Sequence, residues 1–233
     1  MASGRVKEYH WKQVDELELG TFRPYLEDGD ECYYLMPLPN TQDFGDQPVW
    51  KSSAWQKIIN LKHSPERQKE NLAFAGYKAQ AIEQFAHDIA IFLDKNKPIL
   101  SGKKVALIPI PPSKAIDDPN YDDRMSVVCQ TAVNLCNTPD VKYVECLRTK
   151  ESRPSASKSG ERLTPEQIKR NLEIDKDAIC GYEIVFVADD VLTQGTDYAA
   201  CKQLIMECCP DARIIGLFWT FAQRPSVEDD SLE

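Results

Sequence analysis

Apolar positions along this chain follow two periods, and the change from one to the other marks its elements. Ile184 to Ala188 is a continuous apolar run, the pattern of a strand buried on both faces of a parallel sheet. Asp189 and Asp190 end that strand, and after a short loop Tyr198–Cys209 reads as a helix with Cys201, Leu204, Ile205 and Cys208 on one stripe. Val105–Ile110, Lys142–Leu147 and Arg213–Thr220 are further strands, and Tyr33–Pro39 is a short one running into a proline turn. Trp55, Ile58, Ile59 and Lys62 outline a short helix broken near Pro65. A longer helix spans about Glu70 to Leu93, with Ile82, Phe85, Ala86, Ile89 and Leu93 on its buried face and Asn96-Lys97-Pro98 as its stop. Asp122 or Asp123 caps another helix, which runs to Cys136 over Met125, Val128, Cys129, Ala132 and Leu135.

Strands alternating with helices predict an α/β fold, a parallel sheet flanked by helices. The chain divides into an N-terminal extension (1–60), a core (61–222) and an acidic tail (223–233), of which Val227–Glu233 is expected to be disordered. Trp50 and Trp55 are read as anchors of the extension on the core, because exposed tryptophan is uncommon without a partner. The extension is also a candidate surface for a protein partner or a second copy of the chain. Phe218 or Trp219, near a strand end, is a candidate to stack on a base, with core packing expected for at least one of them.

Composition narrows the classes. A net charge of -9 over 233 residues argues against a surface that holds nucleic acid by charge. No apolar run is long enough to span a bilayer, and the 8 cysteines form no Cys-x-x-Cys motif, so a cytoplasmic protein is expected. His10, His63 and His87 lack metal-ligand spacing and are read as structural or surface residues.

Two stretches carry chemistry. Asp189 and Asp190 stand at a strand end before Gly195 and a helix N-terminus, where open α/β sheets bind ligands. Carboxylates there accept from vicinal ribose hydroxyls, and loop amides hold a phosphate. The Val105–Ile110 strand runs into Pro111-Pro112-Ser113-Lys114, a strand-end loop that its prolines stiffen before any ligand arrives. Arg148 to Glu166 is rich in charge, Ser and Pro; Arg148, Lys150, Arg153, Lys158 and Arg162 give it the character of a mobile basic loop closing over an anionic ligand.

The segment Ile184–Asp197, with Asp-Asp-Val-Leu-Thr-Gln-Gly at its centre, resembles the phosphoribosyl-pyrophosphate (PRPP) motif of type I phosphoribosyltransferases. Within that family the order of pieces is similar to ComF proteins, through Lys62, Pro109 with Pro111, Arg124, Arg148 and Arg170-Asn171, over roughly Trp55–Ala222. The four-cysteine zinc module of ComF proteins is not present: only Cys32 stands in that region. The resemblance implies a type I phosphoribosyltransferase-like sheet that binds PRPP or a nucleotide and transfers ribose 5-phosphate to a nitrogen nucleophile, releasing pyrophosphate. It implies Asp189, Asp190 and Arg148 as catalytic groups, with Mg²⁺ carried by PRPP and met by Asp189 and Asp190. Thr193, Gln194, Gly195, Thr196 and Asp197 would form the 5-phosphate loop, and Ser113 and Lys114 would contact the pyrophosphate. Gln194 and Asp197 depart from the family pattern, which has hydroxyl residues there. An ionised Asp197 repels a phosphate and suits a helix N-cap, so cap and phosphate compete for one place. A second reading follows: a module that keeps the fold, binds PRPP or a nucleotide as a signal and does not turn it over, with DNA processing or defence as its setting by analogy of fold alone.

Overall fold

The computed structural model describes residues 10–15, 23–41, 48, 51–154 and 163–223. Trp50, Lys158, Arg162 and the acidic stretch from Val227 onward lie outside these residues. Six strands form the main sheet: β1 (Lys12–Gln13), β2 (Glu31–Leu38), β3 (Val105–Pro109), β4 (Val141–Tyr143), β7 (Ile184–Leu192) and β8 (Arg213–Ala222). Their spatial order is β1-β2-β8-β7-β3-β4, with every neighbouring pair parallel except β1 with β2. The fold is therefore α/β with a mixed, mostly parallel sheet.

The helices cover both faces because the central strands are apolar on both. Val105, Leu107, Ile184 and Phe186 pack with α1 (Ser53–Leu61), α3 (Leu72–Lys95) and α5 (Arg124–Leu135) on one side. Ala106, Ile108, Val185 and Val187 pack on the other with α6 (Pro165–Arg170), α7 (Lys176–Ile179) and α8 (Thr196–Cys208). Two short helices, α2 (Pro65–Glu70) and α4 (Lys97–Leu100), complete the set. Among the described residues no helix is long and apolar enough to cross a membrane.

Several boundaries differ from the sequence expectation. Helix α3 begins at Leu72, since Asn71 is extended and accepts from Ala73 N–H as its cap; Pro65 opens α2 rather than only ending α1. The strand expected over Lys142–Leu147 is split. β4 ends at Tyr143, and β5 (Leu147–Thr149) leaves the sheet to pair antiparallel with β6 (Leu172–Ile174) in a separate ribbon. The basic segment read as running to Glu166 gives way before that to α6, started by a reciprocal capping box between Thr164 and Gln167 with Pro165 in the first turn. Neither Phe218 nor Trp219 is available to a base. They alternate to opposite faces of β8 and are both fully buried; Trp219 stacks on Phe85 at 4.8 Å and donates its indole N–H to Asp88 at 2.9 Å.

The segment before residue 60 is joined to the core at several points. β2 pairs along its length with β8, Trp55 donates to the Pro39 carbonyl at 2.7 Å, and Trp11 donates to the Asp88 carbonyl at 3.1 Å.

Candidate functional site

Strand order fixes where a cleft can open. From β3 the chain crosses to β4 on one side and then returns past β3 to β7 on the other, so the carboxyl ends of β3 and β7 are the point where the direction of winding reverses. At that point lies a cleft of about 130 Å³, bounded by the β3 loop (Ile110 to Ser113), Asp189 and Asp190 of β7, the start of α5, Lys62, Arg153 and Asp197. This is below the lower end of roughly 300 Å³ for pockets that enclose drug-sized ligands, so the cleft as it stands takes a small polar group.

β7 does not stop at the aspartates. Val191 and Leu192 continue its pairing with Thr220 and Phe221, and Leu192 is buried, so the acid pair sits inside a regular strand. Adjacent residues of a strand leave by opposite faces, which gives the two carboxylates different surroundings. Asp190 points under α1 and α5. Its Oδ1 accepts from Lys62 Nζ at 2.9 Å, and its Oδ2 from Arg124 Nη2 at 2.8 Å and Nε at 3.2 Å. Burial alone would raise its pKa, but Lys62 and then Arg124 outweigh it and hold the carboxyl below the usual range. Asp189 has no such cation in hydrogen-bonding contact; its Oδ1 accepts the Asp190 N–H at 2.8 Å. Burial, and next the charge of Asp190, push its pKa up to about 8. Two neighbouring acids thus divide into a fixed anion and a group that holds a proton at neutral pH.

The cations reach Asp190 because of where their helices end and begin. Ala54, Ile58 and Leu61 bury one face of α1 and bring its C-cap, Lys62, over the strand end. Arg124 is the first residue of α5, where Asp122 turns back to accept its backbone N–H at 3.1 Å and its Nη1 at 3.0 Å. Asp123 occupies the cap position with no side-chain hydrogen bond to the helix, so of the two expected caps only Asp122 serves the first turn. Lys78 of α3 completes the row at 2.7 Å from Asp122. The row Lys62–Asp190–Arg124–Asp122–Lys78 was not assembled from sequence, although the lysine after one helix and the arginine leading another were its visible signs.

The remaining expected residues are not all on the cleft. Ser113 lines it. Lys114 turns aside to Asp118, 3.4 Å away. Arg148 is exposed on β5 and lines a smaller depression of about 50 Å³ on the far side of the proline loop, with Tyr121 and Glu145. Of the loop 193–197, only Asp197 is on the cleft wall; Thr193 is exposed, and Gln194 and Thr196 are half-buried beside it.

Gly195, at φ 83°, is the residue before α8, so Asp197 is the second residue of the helix and not its cap. Its carboxylate instead takes a close ion pair with Arg153. A Cβ on Gly195 would meet Leu26 Cδ2 at 2.7 Å, because residue 26 packs on the outside of this turn. Gly195→Ala is therefore expected to cost about 1–2 kcal/mol from the left-handed backbone alone, with the Leu26 contact adding to it. Urea denaturation measures this, and a loss below about 0.5 kcal/mol would mean that the turn relaxes freely.

The loop after β3 is stitched to the chain after β5. Thr149 Oγ1 donates to the Pro112 carbonyl at 2.7 Å, Arg153 N–H to the Ser113 carbonyl at 2.9 Å, and Ala115 N–H to Ser152 Oγ at 3.1 Å. The part of the basic segment that carries Arg153 is thus tied onto the cleft rim.

No family model and no curated protein matches the chain. Among solved structures it is similar to adenine phosphoribosyltransferase from Saccharomyces cerevisiae, at 15% identity and TM-score 0.35 over 62% of this chain and 68% of that one. It is also similar to a hypoxanthine phosphoribosyltransferase from Staphylococcus aureus, at 16% identity and TM-score 0.32 over 65% of this chain and 70% of that one. This is a weak, partial structural resemblance to phosphoribosyltransferases, and nothing in it is specific to ComF proteins. Likeness of that degree does not assign the chain to a family.

Proposed function

We propose that this protein binds the phosphorylated ribose of PRPP or of a nucleotide in the cleft at the ends of β3 and β7. The observation that carries the reading is the unlike pair of acids. Asp190, neutralised by Lys62 and Arg124, is a fixed wall of the cleft, while Asp189 keeps an oxygen free to accept from a ribose hydroxyl. Ser113 faces it across the cleft for a diphosphate, and the first turn of α8 offers free N–H groups to a phosphate.

Among the described residues no cluster of three or more His, Cys, Asp or Glu is placed to hold a metal. Asp189 fits Mg²⁺ only as a single carboxylate, the rest of the shell coming from water and ligand phosphates, as is common for this ion. Bound so, the ion would supply charge neutralisation for the diphosphate. That matters because the cleft wall carries three cations (Lys62, Arg124 and Arg153) against four carboxyl groups (Asp122, Asp189, Asp190 and Asp197).

Pentosyl transfer to a nitrogen nucleophile is the finer reading. The opposing observation is the Arg153–Asp197 ion pair within the site, which favours a protein that binds PRPP or a nucleotide as a signal. Calorimetry with PRPP and Mg²⁺ tests the shared claim. Above about pH 8, where the carboxylate is ionised, Asp189→Asn is expected to weaken binding about tenfold, the loss of a charged acceptor. Unchanged affinity would remove the acid from the site. Pyrophosphate release across a panel of bases then separates an enzyme from a sensor.

A further inference from the structure

Asp197 and Arg153 form an ion pair on the wall of the cleft. Three observations set the geometry. Asp197 is in the first turn of a thirteen-residue helix, the end that attracts negative charge. Arg153 meets it with a side chain only 14% exposed, against 34% for Asp197, so the pair is partly buried rather than fully solvated. The backbone N–H of Arg153 donates to the Ser113 carbonyl at 2.9 Å, which fixes its start on the opposite rim. A carboxylate and a phosphate each present anionic oxygens that an arginine guanidinium can take, the phosphate with more charge.

We propose that Asp197 is an internal occupant of the phosphate subsite, and that an incoming 5-phosphate displaces it from Arg153, which then holds the phosphate. This rests on the ribose-phosphate reading above and deepens it, by naming the residue that receives the phosphate and the one that competes for it. The protein then meets phosphate esters through an exchange of anions, so the ligand's phosphate has to outbid a neighbour in the chain itself. A free carboxylate ligand of single charge would gain little by the exchange. A dianionic phosphate ester gains more, because the guanidinium and the helix end act on it together. Asp197 thereby selects for charge as well as shape.

The test is calorimetric titration of the full chain with ribose 5-phosphate, and with ribose as the control lacking phosphate. Asp197→Asn keeps the side-chain shape and removes the charge; Asp197→Thr also supplies a hydroxyl. Both are expected to bind ribose 5-phosphate about tenfold more tightly than the natural chain, and Arg153→Ala about tenfold more weakly. Binding of ribose should stay the same in all of them. Melting curves by circular dichroism confirm that each variant is folded, and Arg153→Lys replaces the alanine variant if that one is not. Should the natural chain bind ribose 5-phosphate while neither Asp197 variant binds it more tightly, or while both Arg153 variants bind it equally well, the exchange is wrong and the wider reading stands. If no form of the protein binds ribose 5-phosphate or PRPP, both fall together.

Discussion

Arg124→Ala is expected to lower the stability of the fold by about 3–5 kcal/mol, the usual cost of removing one partner from a buried ion pair. In a chain of this size that corresponds to a melting temperature lower by roughly 6–20 °C. The size follows from what Arg124 touches. It stands between Asp190 and Asp122, both nearly buried, and gives two hydrogen bonds to the first and two to the second, counting its backbone N–H. Lys62 and Lys78 remain on the outer ends of the row, but neither reaches the oxygens that the guanidinium leaves. Urea denaturation of the variant and of Arg124→Ala with Asp190→Asn completes the measurement. In the double variant the stranded charge is gone, and much of the loss should return. A single-variant loss under about 1 kcal/mol would show that the row is solvated enough to do without its centre.

The second large effect concerns protons. Asp189 titrates near 8 in the folded chain and in the ordinary aspartate range when unfolded. Below that ordinary range both states carry the proton. Between there and about 8 the unfolded chain has lost it and the folded chain has not, so this group subtracts stability as pH rises. Above about 8 both are ionised and the loss is complete. Asp190 acts in the opposite direction: its pKa is depressed, so its contribution is present above the ordinary aspartate range and disappears as pH falls through the folded value. Asp189→Asn should therefore melt at a higher temperature than the natural chain at pH 8, with the gap widening from pH 5 to about 8 and then levelling. A gap that does not change with pH would mean that Asp189 is ionised throughout. Any ligand or ion that needs Asp189 as an anion must also expel this proton, so its affinity should rise with pH over the same interval.

The strands and most helices were legible because burial on two sheet faces leaves continuous apolar runs, as in Ile184–Ala188, and helices leave a stripe, as in Ile82 to Leu93. The acid pair and the proline loop could be picked from sequence as candidates, since both follow such runs and strand ends are where open sheets bind, and they line one cleft. What sequence could not supply was partnership. Lys62 and Arg124 are 62 residues apart in the chain, and only the packing of α1 and α5 on one face brings both to Asp190. The split of the strand at Lys142–Leu147 was equally hidden, since the apolar residues Val144, Cys146 and Leu147 are buried either way. Lys114 looked like a phosphate ligand because a lysine after a turn has reach. It is turned aside by Asp118, a helical turn's distance along the chain, which a reading for ligand contacts overlooks.

The place of β2 has a consequence for how the molecule is made. Its long partner, β8, is the last strand of the described chain, so residues 31–38 leave the ribosome long before the segment that seals their hydrogen bonds. Until then the edge of β2 that β8 will cover has unpaired backbone groups, available to any other extended chain, while its other edge can already pair with β1. The nascent protein has to keep that edge apart from its neighbours until residues 213–222 have been delivered, and crowding on a polysome is the condition under which it would first go astray.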